Sequence, residues 1–253
     1  MNISIPKSLQ IPALKRLWQE AFHDTDSFLD IFFNTAFEPK RCRCIFEKET
    51  AIAALYWFDC MYDNKRIAYI YAVATAKSHQ GQGLCRKLMD DTHKHLASLG
   101  YEGTLLVPGN AKLFEMYTKM GYITCSSLHE FRCNAGSQDL LLYEIDKNEY
   151  ARLRKLLLPA GSVIQEKENL TFLENIAKFY IGHGFLLCAH GENPTLYVYE
   201  LLGDKSHAPD IIHTLGFSDG IIRTPGNSRP FTMYHFLSNN ASTLPNYFGF
   251  AFD

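Results

Sequence analysis

No apolar run in this 253-residue sequence approaches the roughly 18–20 residues a helix needs to cross a bilayer. The opening stretch, MNISIPKSLQ, lacks the basic start and apolar core of a secretory leader. Neither a membrane span nor a signal peptide is expected. An excess of one charge is missing too: 25 basic against 27 acidic residues leave a net charge of −2, which gives nucleic acid no general attraction. Cysteine is sparse, and the seven present are odd in number and scattered, so a disulfide framework is excluded and a reducing compartment, the cytoplasm, is the expected location. Cys42 and Cys44 lie on one face of a predicted strand with no second pair or histidine cluster nearby. They read as small core residues, and no metal site is expected. Also absent are the phosphate signatures GxxxxGK(S/T) and GxGxxG; in the glycine-bearing stretch KSHQGQGLCRKLMDD, residues 77–91, position 86 is arginine. A mononucleotide or dinucleotide site of those types is not expected.

What is present is enough apolar material for a sizeable core: 47% hydrophobic and 13% aromatic residues. Two amphipathic helices open the chain near 12–22 and 25–37, carrying Leu14, Leu17 and Trp18, then Phe28, Ile31 and Phe32. Strands follow at 41–47, 51–62 and 66–75, with Asp63 and Asn64 as turn chemistry between the last two. A helix with Leu84, Leu88, Leu96 and Leu99 on one stripe closes at Gly100. After it come a strand at 103–107, a short helix at 110–120 and strands near 122–132 and 140–145. The order begins again at 146: helices at 147–158 and 168–180, strands at 184–189 and 195–202, a short helix at 208–215, then strands at 220–224, 231–237 and 247–252. This is a diverged structural duplication without a sequence repeat. The expected fold is α/β with mixed sheets, in two tandem domains at 1–145 and 146–253, each a central sheet flanked by helices.

Gly81 and Gly83 stand between a strand and a helix. The first amides of such a helix have no intrahelical partners and point along the positive end of its dipole, so the loop suits an anion such as a pyrophosphate. A plain turn using glycine for its geometry is the alternative.

The loop is similar to motif A of the GNAT acetyltransferase superfamily, Q/R-x-x-G-x-G/A, with Gln80, Gly83 and Cys85 in its fixed places. Cys85 departs from the last position, where the family has glycine or alanine. Downstream, NAKLFEMYTKMGY resembles the family's N-x-x-A/L-x-x-x-Y-x-x-x-G-F/Y, with Asn110, Tyr117, Gly121 and Tyr122 in register. The resemblance implies that acetyl-CoA binds as co-substrate in a cleft where strands 67–75 and 103–107 splay. It implies backbone contacts from Val73 and Thr75 to pantetheine, and a pyrophosphate held by Gln80, Gly81, Gln82, Gly83, Leu84, Cys85 and Arg86. Asn110 would contact the cofactor, cap the helix, or do both. Tyr117 would protonate the departing CoA thiolate as catalytic acid, or sit in the core on the Leu113, Tyr117, Met120 stripe.

The implied activity is acetyl transfer to a primary amine, on a small molecule or a protein, with a non-catalytic acyl-CoA-binding protein as the alternative. An amine nucleophile also needs a proton acceptor. His79, Asp59, His129 and Glu130 lie on suitable elements, and each could equally be an ordinary solvated side chain. The second half has one glycine and an acidic residue in LLGDKSHAPD, where the phosphate loop should be, so it is expected to bind no CoA. This tandem of an active and a degenerate domain resembles acetyltransferases of the enhanced-intracellular-survival type. In that type the degenerate domain helps wall the acceptor pocket and the terminal carboxylate approaches the active site, which implies a catalytic place for Asp253 at the end of YFGFAFD; a strand closing the second sheet, with its carboxylates in solvent, is the alternative.

Overall fold

Pro12 in the first turn and a stripe of Ala13, Leu14, Leu17 and Trp18 make α1 (Ile11–Phe22) an amphipathic helix with one buried face. The computed structural model describes residues 2–238 and 243–252. In it α1 follows a two-residue strand, β1 (Ile3–Ser4), and precedes α2 (Asp26–Thr35), which Thr25 caps by accepting from the Phe28 amide. Three antiparallel strands come next, β2 (Cys42–Glu47), β3 (Thr50–Tyr62) and β4 (Lys65–Thr75). Asp63 and Asn64, with φ of 50° and 58°, form the turn between β3 and β4, since a primed hairpin turn needs both central residues left-handed. Successive residues of β3 face opposite ways: Tyr56 meets Trp18 of α1, and Trp57 meets His95 of α3 (Leu84–Ser98). Covered on both faces, β3 is buried along nearly its whole length. The first half then runs through β5 (Gly103–Leu106), α4 (Ala111–Thr118) and β6 (Ile123–Asn134).

The second half follows a similar order without a counterpart of α4: β7 (Tyr143–Ile145), α5 (Lys147–Leu157), β8 (Ile164–Gln165), α6 (Glu168–Leu173), β9 (Lys178–Gly182), β10 (Phe185–Glu192), β11 (Thr195–Gly203), α7 (Ala208–Thr214), β12 (Asp219–Pro225) and β13 (Arg229–Phe236). The fold is mixed α/β. Among the described residues no helix is long and apolar enough to cross a membrane.

Two compact units form, Met1–Ile123 with Met233–Thr243, and Thr124–Thr232 with Leu244–Asp253. The first unit's sheet runs β1-β2-β3-β4-β5 and then the end of β13; the second runs β6-β12-β11-β10-β9-β7. In each sheet one pair is parallel, β4 with β5 and β11 with β12, and the crossover between its members carries a helix, α3 or α7. The two units thus share this strand–helix–strand crossover.

The units do not coincide with the linear halves 1–145 and 146–253. β6 follows β5 in the chain but pairs antiparallel with β12, and β13 follows β12 but pairs with β5 over Met233–Phe236. Alternation marks both as strands and cannot choose between two equivalent sheet edges. Gly103 records the choice, because a Cβ there would stand 1.9 Å from the hydroxyl of Tyr234 on β13.

Two expectations fail in the second unit. The helix expected over 168–180 stops at Leu173, and Lys178–Gly182 is strand β9, hydrogen-bonded to β10 and β7. Apolar residues at 172, 173, 176 and 179 satisfy a helical period, but the sheet edge offers backbone partners that the period does not count. The strand expected over 247–252 is also absent; apart from a bridge between Ser162 and Tyr247, the segment is irregular. Gly249 is left-handed, φ 95°, and breaks the alternation. The segment is held instead by side chains: Arg154 donates to the Phe248 carbonyl at 3.3 Å, Gln165 to the Phe250 carbonyl at 2.9 Å, and Tyr247 to Glu200 at 2.9 Å. Arg154 and Glu200 form a buried bidentate pair, 2.6 and 2.9 Å, with the Tyr150 hydroxyl on the same carboxylate at 2.7 Å.

Candidate functional site

Beyond Tyr69, β4 parts from β5. Their parallel ladder covers Ile67, Ala68 and Tyr69 and no further. Two residues later β4 carries a bulge: it takes three steps from Tyr71 to Ala74 while β3 takes two from Tyr56 to Ala54, and Ala72 is left-handed at φ 48°. A bulge bends the strand and re-aims its backbone, which opens the gap between β4 and β5. Val73 and Thr75, both half-buried, follow at the bend.

The chain then turns through Gln80–Gly83. Gln80 donates to the Thr75 carbonyl at 3.3 Å, and Gln82 to the Ser78 carbonyl at 3.4 Å. Gly81 and Gly83 have φ of 76° and 74°, and a Cβ at either would meet nothing within 4 Å. Backbone conformation requires these glycines, and the space above them is open. Gly83 starts α3 with no side-chain cap and no acidic residue in the first turn; Leu84, Cys85, Arg86 and Lys87 stand there instead. Basic side chains at the positive end of a helix dipole are unfavourable unless an anion joins them. The Arg86 guanidinium also donates to the Lys119 carbonyl at 2.7 Å, tying the start of α3 to the end of α4.

These elements enclose a cavity of about 550 Å³, lined by Thr75, His79 to Gly81, Gly83 to Arg86, and Leu113, Met116, Lys119 and Met120 of α4. Leu113 and Met120, which with Tyr117 make up the core stripe of the alternative reading, line the cavity together with Met116. They form the apolar wall of the cavity, and their helical spacing was the available signal. Cys85 is half-buried in the opposite wall, its thiol pushed up to about 11 by burial.

Tyr117 is buried at 6% exposure and does not line the cavity. Burial, with the Cys85 sulfur adding to it, raises its pKa well above the usual phenol range. Among the described residues its hydroxyl makes no hydrogen bond, and that oxygen is not one of the buried side-chain atoms left without a partner, so the ring is buried while its polar end keeps a path to solvent. Asn110 caps α4, its Oδ1 accepting from the Leu113 amide at 3.1 Å.

Residues 3–125 match the acetyltransferase (GNAT) domain family. No curated protein sequence matches the chain. Among solved structures, a GCN5-related N-acetyltransferase from Anabaena variabilis ATCC 29413 superposes with a TM-score of 0.74 at 14% identity, over 94% of this chain and 73% of its own. One from Kribbella flavida gives 0.69 at 13%, over 93% and 70%. Eis1 from Mycobacterium abscessus gives 0.67 at 12%, over 94% and 74%. At such identities the likeness is one of fold.

The four candidate proton acceptors separate. His79 stands on the cavity wall, with Nδ1 2.8 Å from the Ser78 hydroxyl and Nε2 3.6 Å from the Glu47 carboxylate. Asp59 accepts from the Tyr101 hydroxyl, and its other oxygen lies 3.9 Å from Arg41 and 3.8 Å from Arg66. His129 and Glu130 belong to the second unit, where Glu130 pairs with Arg223 at 2.8 Å and Arg229 at 2.9 Å. Asp253 lies outside the described residues. Cys42 and Cys44 are fully buried, side by side on β2.

Proposed function

We propose that the chain is an N-acetyltransferase that moves an acetyl group from acetyl-CoA to a primary amine. The observation that carries this reading is the uncapped start of α3 behind two left-handed glycines, opening on a cavity that ends where β4 leaves β5. The amides from Gly81 to Arg86 and the Arg86 side chain suit a pyrophosphate. The backbone of Val73 and Thr75, past the last pairing with β5, suits an extended amide-bearing arm, and Asn110 keeps its side-chain amide nitrogen for the same substrate.

Chemically, the amine nitrogen forms a bond to the thioester carbonyl carbon, the carbon–sulfur bond breaks, and the departing thiolate takes a proton. Tyr117 supports this step as the acid: its raised pKa keeps it protonated, and its hydroxyl is unpartnered. The surplus amine proton leaves through His79 or solvent. The acceptor is a small-molecule or protein amine, with neither nucleic acid nor membrane as partner. A cytoplasmic location fits the seven unpaired cysteines.

The test is thiol release from acetyl-CoA against a panel of amines, with calorimetric titration of acetyl-CoA alongside. Amine-dependent release supports the reading. Tight binding with no release across the panel would instead favour an acyl-CoA-binding regulatory protein.

A further inference from the structure

Tyr122 follows the glycine that ends α4, and its hydroxyl is held from two sides. Thr104 Oγ1 on β5 lies 2.7 Å away and His93 Nε2 on α3 lies 2.9 Å away. Tyr122 is 2% exposed, Thr104 fully buried and His93 8% exposed. The His93 imidazole stacks on that of His235, centroids 4.3 Å apart and planes at 13°, and His235 Nδ1 lies 3.1 Å from the Gly121 carbonyl. The Tyr122 ring meets the Tyr117 ring edge-on at 5.6 Å and 63°. One connected cluster, drawn from α3, β5, the turn after α4 and the end of β13, therefore surrounds the ring against which Tyr117 rests.

Volume alone does not explain these residue types. Phenylalanine at 122, valine at 104 and leucine at 93 would fill similar space without burying three polar groups, each of which costs free energy unless it is satisfied. Here each is satisfied by the others. Burial, with His235 adding to it, pushes the His93 pKa down to about 3, so its ring stays neutral and Nε2 can accept the Tyr122 proton while Thr104 donates to the Tyr122 oxygen.

We propose that the His93–Tyr122–Thr104 network is a positioning device for Tyr117: it fixes the ring that sets the direction of the unpartnered Tyr117 hydroxyl, and His235 extends it to the carbonyl that ends α4. The proposal rests on the acetyl-transfer reading and on Tyr117 as its acid. Tyr122, Thr104, His93 and His235 are positioning residues, since none lines the cavity.

The experiment is a double-mutant cycle with Tyr117→Phe, Tyr122→Phe and the double variant, plus Thr104→Val. Each is measured for kcat, KM and calorimetric affinity for acetyl-CoA, and Tm. Tyr122→Phe is expected to lower kcat about tenfold, leave acetyl-CoA affinity unchanged, and add nothing once the Tyr117 hydroxyl is gone. A purely structural role predicts the same loss in both backgrounds. Thr104→Val should show the same pattern more weakly, and it decides the matter if Tyr122→Phe does not fold. Wild-type kcat in Tyr122→Phe, or an undiminished loss in the Tyr117→Phe background, overturns the positioning role while an impaired Tyr117→Phe keeps the transfer mechanism intact. Wild-type turnover in Tyr117→Phe sinks the acid role, and the positioning role with it.

Discussion

The two units build the same junction, a strand running into a turn and then a helix that leads to a parallel strand, and they finish it with opposite chemistry. At the first, between β4 and α3, two left-handed glycines leave open space and a 15-residue helix begins with no side-chain cap. At the second, between β11 and α7, Asp204 accepts from the Ser206 amide at 2.9 Å and Asp210 accepts from the Ser137 and Gln138 amides at 3.3 and 3.1 Å. Gly203 is there for crowding: its Cβ would stand 2.2 Å from the Gly184 carbonyl oxygen. The second junction supplies its own carboxylates where the first leaves its helix start uncapped. Topology builds both places alike, and one or two side chains set the chemistry each presents.

The centres of the units differ in a parallel way. The first packs neutral rings, with Phe32, Phe33, Tyr56 and Tyr71 each 4.8–6.2 Å from the Trp18 ring. The second buries an ion pair. Removing one partner should therefore hurt more than trimming a ring: Glu200→Ala is expected to cost about 3–5 kcal/mol, because it strands the Arg154 charge and frees the carboxyl-terminal segment. Urea denaturation of the variant measures it, and a loss below 1 kcal/mol would mean water reaches the pair.

Next in size is the proposed acid, Tyr117 of the first unit, which has no sequence counterpart in the second. Tyr117→Phe should lower amine acetylation by about 10²-fold, some 2.7 kcal/mol, with acetyl-CoA affinity preserved. Unchanged rates across the pH range would return Tyr117 to a packing role.

The junctions themselves give two smaller effects of opposite meaning. Gly83→Val forces a β-branched residue into a left-handed conformation at the first junction, and acetyl-CoA affinity should fall tenfold or more, about 1.4 kcal/mol, by calorimetry. At the second, Asp204→Ala should change no CoA affinity and lower Tm slightly. The Ser206 amide holds the Asp204 carboxyl below its usual pKa, so its contribution is present above the ordinary carboxylate range and lost as pH falls through the lowered value. The Tm difference should accordingly vanish in acid; a difference that persists there would assign it to something other than the carboxylate.

Part of the candidate cavity is legible from spacing: motif register singles out Gln80, Gly83 and Tyr117, of which Gln80 and Gly83 line the cavity and Tyr117 does not. The bulge at Ala72 was not legible, since alanine carries no local preference for a left-handed conformation and only the competing ladders of β3 and β5 impose it. Nor was the cluster around Tyr122, whose members lie 93, 104, 122 and 235 residues into the chain and share no period.

Local chemistry in the sequence was sufficient to determine most helices and strands of the first unit, the Asp63-Asn64 hairpin and the glycine loop, because each depends on neighbours within a few positions. Tertiary structure alone decided which sheet received β6 and which received β13, that 178–182 became a strand, and that the end of the chain was held by Arg154, Gln165 and Glu200 in place of a ladder. Those outcomes turn on which of several similar edges and partners lie within hydrogen-bond reach in three dimensions, a competition between distant segments that no local pattern encodes.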